Sequence, residues 1–281
     1  MKGWLIYDKA GAARNEWFIG ECLRYAKEYG LDLRLQIACG EACPDEELPD
    51  FALVRTIAPT FSERLEKGGV RVFNNAEVSA VANDKWYTHQ RALTLDLPVM
   101  ATLLSSACQD GSPFGYPVVV KKRDGHGGSE VYKADTEREY RALWQGRKPA
   151  DYVTQAICSE LGKDMRVYLL GGEILGAVLR TSETDFRSNF SLGGKVECVP
   201  VPHEIQKMVQ KLHKNLQTDF VGMDFIRHGG EWALNEIEDV VGSRMLYKSA
   251  GLDVAKAYIK HVAKTMAKTT EKTPERGQEN G

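Results

Sequence analysis

Residues 220–242, FVGMDFIRHGGEWALNEIEDVVG, constrain the fold more than any other stretch. Residues 220–227 and 232–238 are short apolar-rich runs, and His228-Gly229-Gly230-Glu231 between them is a turn signal, so a β-hairpin is predicted. Alternate residues of a strand share a face, which sets Glu236 beside Glu238. Folding about Gly229-Gly230 brings Asp224 opposite Asn235 and Glu236. Three carboxylates amid Phe, Met, Ile, Trp and Leu repel one another unless a cation sits among them. Hard oxygen ligands of this kind suit Mg²⁺. The bland alternative is a solvated acidic edge of a sheet.

With 281 residues, 43% of them hydrophobic, the chain can bury one large core or a few smaller ones. A net charge of −2 argues against nucleic-acid binding driven by bulk charge, leaving only a local basic patch to consider. No apolar run approaches a membrane span, and MKGWLIYDKAG lacks the apolar core and cleavage site of a signal peptide. The six cysteines (22, 39, 43, 108, 158 and 198) are scattered. Cys39 and Cys43 have no second pair or histidine cluster to complete a zinc site, so all six read as reduced thiols of a cytoplasmic protein. There are no internal repeats.

Residues 1–83 read as an α/β domain. Strands are expected at 4–7, 33–38, 51–55 and 70–73. A helix carries Phe18, Cys22, Ala26 and Tyr29, Gly30 stops it, and a second helix lies around 62–67. Alternating strands and helices imply a small parallel sheet. No glycine fingerprint follows the first strand, so this domain has no dinucleotide site of its own.

Asp84 is the expected N-cap of the next helix, which runs to about residue 96. Lys85 alone reads as a solvated helix lysine. Next come the apolar run YPVVVKK, the loop Arg123-Asp124-Gly125-His126-Gly127-Gly128-Ser129-Glu130, and the run VYK. No Walker A sequence is present, but a glycine-rich loop joining antiparallel strands can lie over a nucleotide with its N–H groups toward phosphate. Lys121 ends the first run, where an ammonium can reach phosphate oxygens. An ordinary hairpin loop is the bland alternative.

A strand at 151–157 has the character of a hinge. A second hairpin, 166–170 with 173–180, turns at Gly171-Gly172. The polar loop 181–195 carries Arg187 and Asn189, a pair suited to an anionic substrate. Residues 203–217 form an amphipathic helix with Ile205, Met208, Val209, Leu212 and Leu216 toward the core. A last helix at 252–266 is expected to dock on that same core. The polar end of the chain, 269–281 in particular, reads as disordered.

In order, Asn-Asp-Lys, PVVVK, the glycine-rich loop, the TQ hinge, DMR, DFRSN with a following Gly-Gly, GMDF and NEIE resemble the ATP-grasp ligases, above all the RimK-type glutamate and amino-acid ligases. The resemblance covers roughly residues 74–263 and is most specific in DFRSN-x₃-GG together with the carboxylate hairpin. It implies an α/β (α+β) ATP-grasp fold behind an N-terminal pre-ATP-grasp α/β domain. The domains would be 1–83, a central subdomain 84–154 with the flap, a C-terminal subdomain 155–268, and a tail.

It also implies roles. Lys85 and Lys121 would hold ATP phosphates beneath Gly125, Gly127, Gly128 and Ser129. Gln155, Ala156 and Ile157 would meet adenine, and Asp164 would continue the pocket. Asp224, Glu236 and Glu238 would hold Mg²⁺ or Mn²⁺, two ions in all. Arg166, Arg180, Arg187 and Asn189 would lie near the transferred phosphate and the substrate carboxylate. Glu238 stands where most members have asparagine, and Glu130 where a flap glycine is usual. The implied partners are ATP, a carboxylate and an amine, with a homodimer or tetramer as the assembly and no nucleic acid or membrane. The rival reading is a non-catalytic nucleotide-binding or structural protein that kept the fold.

Overall fold

The computed structural model describes residues 1–38, 47–128, 130–183, 185–187 and 195–272. The chain forms two compact units, Met1–Phe73 with Asp253–Gly281, and Asn74–Leu252. The second unit thus begins at Asn74.

In the first unit, β1 (Lys2–Tyr7), β2 (Asp32–Ile37), β3 (Phe51–Val54) and β4 (Arg71–Phe73) form a parallel sheet ordered β2-β1-β3-β4, as the alternating pattern predicts. Between the strands lie α1 (Lys9–Arg14), α2 (Glu16–Glu28) and α3 (Pro59–Lys67). Trp4, Ile6, Ala52 and Val54 pack against Phe61 and Leu65 of α3. The last helix, Val254–Lys272, differs from expectation: it lies along α2 and not on the core of residues 203–217. Its buried face (Val254, Ala255, Tyr258, Ile259, Val262 and Met266) was legible, but an apolar face does not specify what it meets. Tyr25 of α2 donates its hydroxyl hydrogen to Asp253, and His261 meets the Phe73 ring edge-on at 6.0 Å.

The second unit contains two antiparallel sheets. In chain order its elements are α4 (Ala76–Ala82), α5 (Lys85–Thr94), β5 (Thr102–Leu104), β6 (Val118–Lys122), β7 (Val131–Ala134), α6 (Glu137–Ala142) and β8 (Tyr152–Ala156). Then follow β9 (Lys163–Leu170), β10 (Glu173–Thr181), β11 (Lys195–Cys198), α7 (His203–Leu216), β12 (Phe220–His228), β13 (Glu231–Glu238) and α8 (Arg244–Ala250). The sheets are ordered β5-β8-β6-β7 and β11-β10-β9-β12-β13. Both predicted hairpins, β9–β10 and β12–β13, form at their Gly-Gly turns. The short elements α4, β5, β11 and α8 carry too few residues for periodicity to reveal them.

Helix α7 buries Ile205, Met208, Val209, Leu212 and Leu216 against Val167, Leu169, Val221, Met223 and Phe225 of β9 and β12. Full burial of each such side chain contributes about 1.5–3 kcal/mol relative to exposure. Buried Asn74 ties the entry of the unit to β12: its amide donates to Phe220 O at 2.8 Å and Asp239 O at 3.2 Å, and its oxygen accepts from Asp219 N at 2.7 Å.

Candidate active site

Strand register decides the centre of the site. In the order β10-β9-β12, Asp224 lies opposite Arg166, and Arg180 opposite Asp164. All four side chains are buried. Arg166 grips Asp224 with two bonds, Nε to Oδ1 at 2.7 Å and Nη2 to Oδ2 at 2.6 Å, and also reaches Glu238 Oε1 at 2.7 Å. Arg180 grips Asp164 in the same two-pronged way and donates to Asp224 Oδ2 at 2.7 Å. Buried charges persist only when paired and hydrogen-bonded, and forked arginine–carboxylate contacts are the strongest such pairs. Burial would push the Asp224 carboxyl up, but Arg166 and Arg180 outweigh it and hold the group well below the ordinary carboxylate range. Glu238 shifts the other way: burial raises it, Arg166 opposes, and the neighbouring Asp224 and Glu236 charges add to the rise.

The lysines and the glycine-rich loop form the opposite side. Asp84 caps α5 by accepting from Trp86 N and Tyr87 N, and the same carboxylate pairs with Arg123 at the root of the loop at 2.6 Å. This clamp brings Lys85 under the loop, where its Nζ donates to Gly125 O at 2.5 Å and lies 3.6 Å from Glu236 Oε1. Lys121 is buried near the end of β6 and donates to Asn235 Oδ1 at 2.7 Å. Burial pulls its ammonium below the usual lysine value; Glu236 pulls it back up and Lys85 adds to the lowering.

A cavity of about 270 Å³ unites these parts. Lys85, Lys121, Gly125, Gly127, Gly128, Gln155, Ala156, Ile157 and Asp164 line it, as do Arg166, Arg180, Arg187, Asp224, Glu236 and Glu238. Ser129 and Asn189, also singled out from sequence, lie outside the described residues. Val119, Val131, Ile226 and Met245 give the cavity apolar wall suited to an aromatic base, while the lysines offer cations to phosphate. Sequence reasoning missed Phe186, Met245 and Asn235. Only Asn235 left a signal, a polar residue where strict alternation places a core side chain.

The arginines are less free than their sequence positions imply. Arg166 and Arg180 spend their forks on carboxylates. Arg187 is paired with Asp185 through Nε and Nη2, and its Nη1 donates to Gly128 O at 2.6 Å. Gly162 fixes the approach of this loop: its φ is +68°, and a Cβ there would stand 2.5 Å from Ser182 O. The Gly162 backbone bonds Ser182 N and Phe186 O at 2.7 and 2.9 Å.

The donor set fits a hard divalent cation. One carboxylate oxygen from each of Asp224, Glu236 and Glu238 lies within 4.8 Å of the others. The Asp224 oxygens already accept three arginine bonds, leaving Glu236 and the second oxygen of Glu238 as the more open ligands.

The loop leads to a testable expectation. Lys85 and Arg187 hold two of its carbonyls, and both cations also face the cavity, so nucleotide phosphates will redistribute those contacts. Amide exchange of residues 124–128 should slow on adding ATP and Mg²⁺. Equal protection with and without nucleotide would contradict this.

A model of the RimK-like ATP-grasp domain matches residues 82–262, and the chain belongs to this family. Human (Homo sapiens) N-acetylaspartylglutamate synthase A is 31% identical over 226 residues, 73% of this chain and 58% of that protein. The chain therefore spans little more than half the length of that relative. Glutamate–LysW ligase ArgX of Sulfolobus acidocaldarius is 24% identical over 229 residues, 76% of this chain and 81% of that one. Among solved structures, D-alanine–D-alanine ligase from Bacillus anthracis complexed with ATP matches with a TM-score of 0.75 at 16% identity, covering 96% of this chain and 99% of that one. The fold is the α+β ATP-grasp fold. No helix among the described residues is long and apolar enough to cross a membrane.

Proposed function

We propose that this chain is an ATP-dependent carboxylate–amine ligase acting through an acyl phosphate. The observation that carries the reading is convergence: two lysines, a glycine-rich loop and three carboxylates meet in one cavity beside an arginine-bearing loop. In the proposed reaction the γ-phosphoryl group passes to a substrate carboxylate, releasing ADP. An amine then attacks the acyl carbon and inorganic phosphate leaves.

Lys85 and Lys121 hold the phosphates, with Gly125, Gly127 and Gly128 above them. Gln155, Ala156 and Ile157 border the base, and Asp164 with Arg180 braces the floor. Arg166 fixes Asp224 and Glu238 in place. Asp224, Glu236 and Glu238 would hold Mg²⁺, two ions in all and replaceable by Mn²⁺, and when bound these would supply positive charge to offset that of the transferring phosphoryl group. Arg187, released from the loop, steadies the substrate carboxylate with Asn189. The closed loop keeps water from the acyl phosphate. Among the described residues six cations (Lys85, Lys121, Lys163, Arg166, Arg180 and Arg187) and five carboxyl groups (Glu160, Asp164, Asp224, Glu236 and Glu238) line the cavity, so groups of both signs are at hand for nucleotide phosphate and metal.

Relatives named for glutamate ligation make glutamate the first amine to test. An amino acid joined to a peptide or protein terminus is the preferred pair, and an amino acid joined to a small metabolite the next. A homodimer or tetramer is the proposed assembly. Retention of Lys121, Asp224 and Glu236 at one site favours catalysis over a non-catalytic role.

The test incubates the protein with ATP, Mg²⁺ and an acid–amine panel. ADP and phosphate should form only with a carboxylate present, and hydroxylamine should trap a hydroxamate. Arg187→Ala should lose hydroxamate formation and still bind ATP. AMP as product, or parental rates in the Arg187 variant, would overturn the mechanism.

A further inference from the structure

The hairpin at the metal site contains an irregularity that alternation alone does not foresee. Asp224 pairs with Glu236, but the next residue, Phe225, pairs with Leu234, so Asn235 is skipped in the ladder. A β-bulge of this kind re-aims side chains. In a regular strand Asn235 would share the face of Ile237, which is 1% exposed in the apolar core. With the bulge, Leu234 and Ile237 stay in the core while Asn235, Glu236 and Glu238 all line the cavity.

Among the described residues the re-aimed carboxamide meets Lys121. Asn235 Oδ1 accepts from Lys121 Nζ at 2.7 Å. Lys121 is 8% exposed, so its ammonium needs an acceptor, and Glu236 is the neighbouring anion that would otherwise draw it. An amide oxygen satisfies the ammonium without adding a negative charge. A carboxylate in its place would cancel the cation that faces the cavity, and an aliphatic side chain would leave Lys121 to Glu236.

We infer that Asn235 is a positioning residue: it holds Lys121 toward the phosphate end of the cavity and keeps it off Glu236, leaving that carboxylate to the metal. This rests on the proposed role of Lys121 toward nucleotide phosphates. Asn235 acts through Lys121, so the two residues form one unit and their effects on phosphate binding overlap.

The test is a double-variant cycle read by calorimetric binding of ATP with Mg²⁺ and of adenosine, which has no phosphate. Asn235→Leu should weaken ATP binding at least about tenfold, the scale of a hydrogen bond to a charged group. Adenosine affinity should stay within about twofold and the melting temperature near the parent's, for a contact that acts on phosphate alone. Lys121→Met should weaken ATP similarly, and the double variant should be no weaker than Lys121→Met. Parental ATP affinity in Asn235→Leu, or losses that multiply in the double variant, would overturn the inference. If Lys121→Met binds ATP like the parent, the phosphate role of Lys121 falls first and this inference with it. If only Lys121→Met weakens binding, the inference alone falls. Should Asn235→Leu lose adenosine as well, Asn235→Ser, whose hydroxyl falls short of Lys121, repeats the cycle with the same criteria.

Discussion

Replacing Asp224 by alanine is expected to destabilise the protein by about 3–5 kcal/mol, because it removes the anion shared by two buried guanidiniums. Arg166 and Arg180 both donate to Oδ2, and both are largely buried, 7% and 4% exposed, so water replaces the lost anion poorly. Arg180 keeps Asp164, and Arg166 keeps one bond to Glu238, so the loss is that of a broken network and not of every partner. The effect carries a pH signature. The folded carboxyl sits below its unfolded value, near 3.9 for an ordinary aspartate, so its stabilisation is complete above that value. It is lost as pH falls through the folded value. Urea midpoints of parent and variant should therefore differ most at neutral pH and approach each other in acid. Matching midpoints at pH 7 would show that the network contributes no stability.

The second large effect is on turnover. Glu236→Gln keeps the shape of a residue whose charged neighbour, Lys85 Nζ, is 3.6 Å away, so the fold should survive with little change in melting temperature. Loss of one preorganised electrostatic group typically costs about 2.7–4 kcal/mol in the barrier, or roughly 10²–10³ in rate. Turnover of the variant should fall by that factor across a Mg²⁺ titration. Parental turnover at low Mg²⁺ would remove Glu236 from the metal site.

Much of this arrangement could be read from the chain itself. The two hairpins announced themselves through Gly-Gly turns between alternating runs, and Asp84 through its position before a helix. The carboxylate trio followed from period-two geometry. The engagement of the arginines did not, because it depends on β9 lying between β10 and β12, and no local pattern encodes lateral strand order. The inward turn of Asn235 showed only as a polar residue at a core position, because a bulge exists only relative to the strand opposite.

The placement of the last helix has a consequence for synthesis. The first unit is discontinuous, closed by a helix that follows Asp253, whereas the second runs unbroken from Asn74 to Leu252. During translation the buried face of α2, with Cys22 and Tyr25, is made before the second unit but waits for its covering helix until all of that unit has been made. The unit holding the cavity needs no such delay. Chains truncated after residue 252 and released from the ribosome should therefore protect the cavity-bearing unit from protease while leaving α2 open to cleavage.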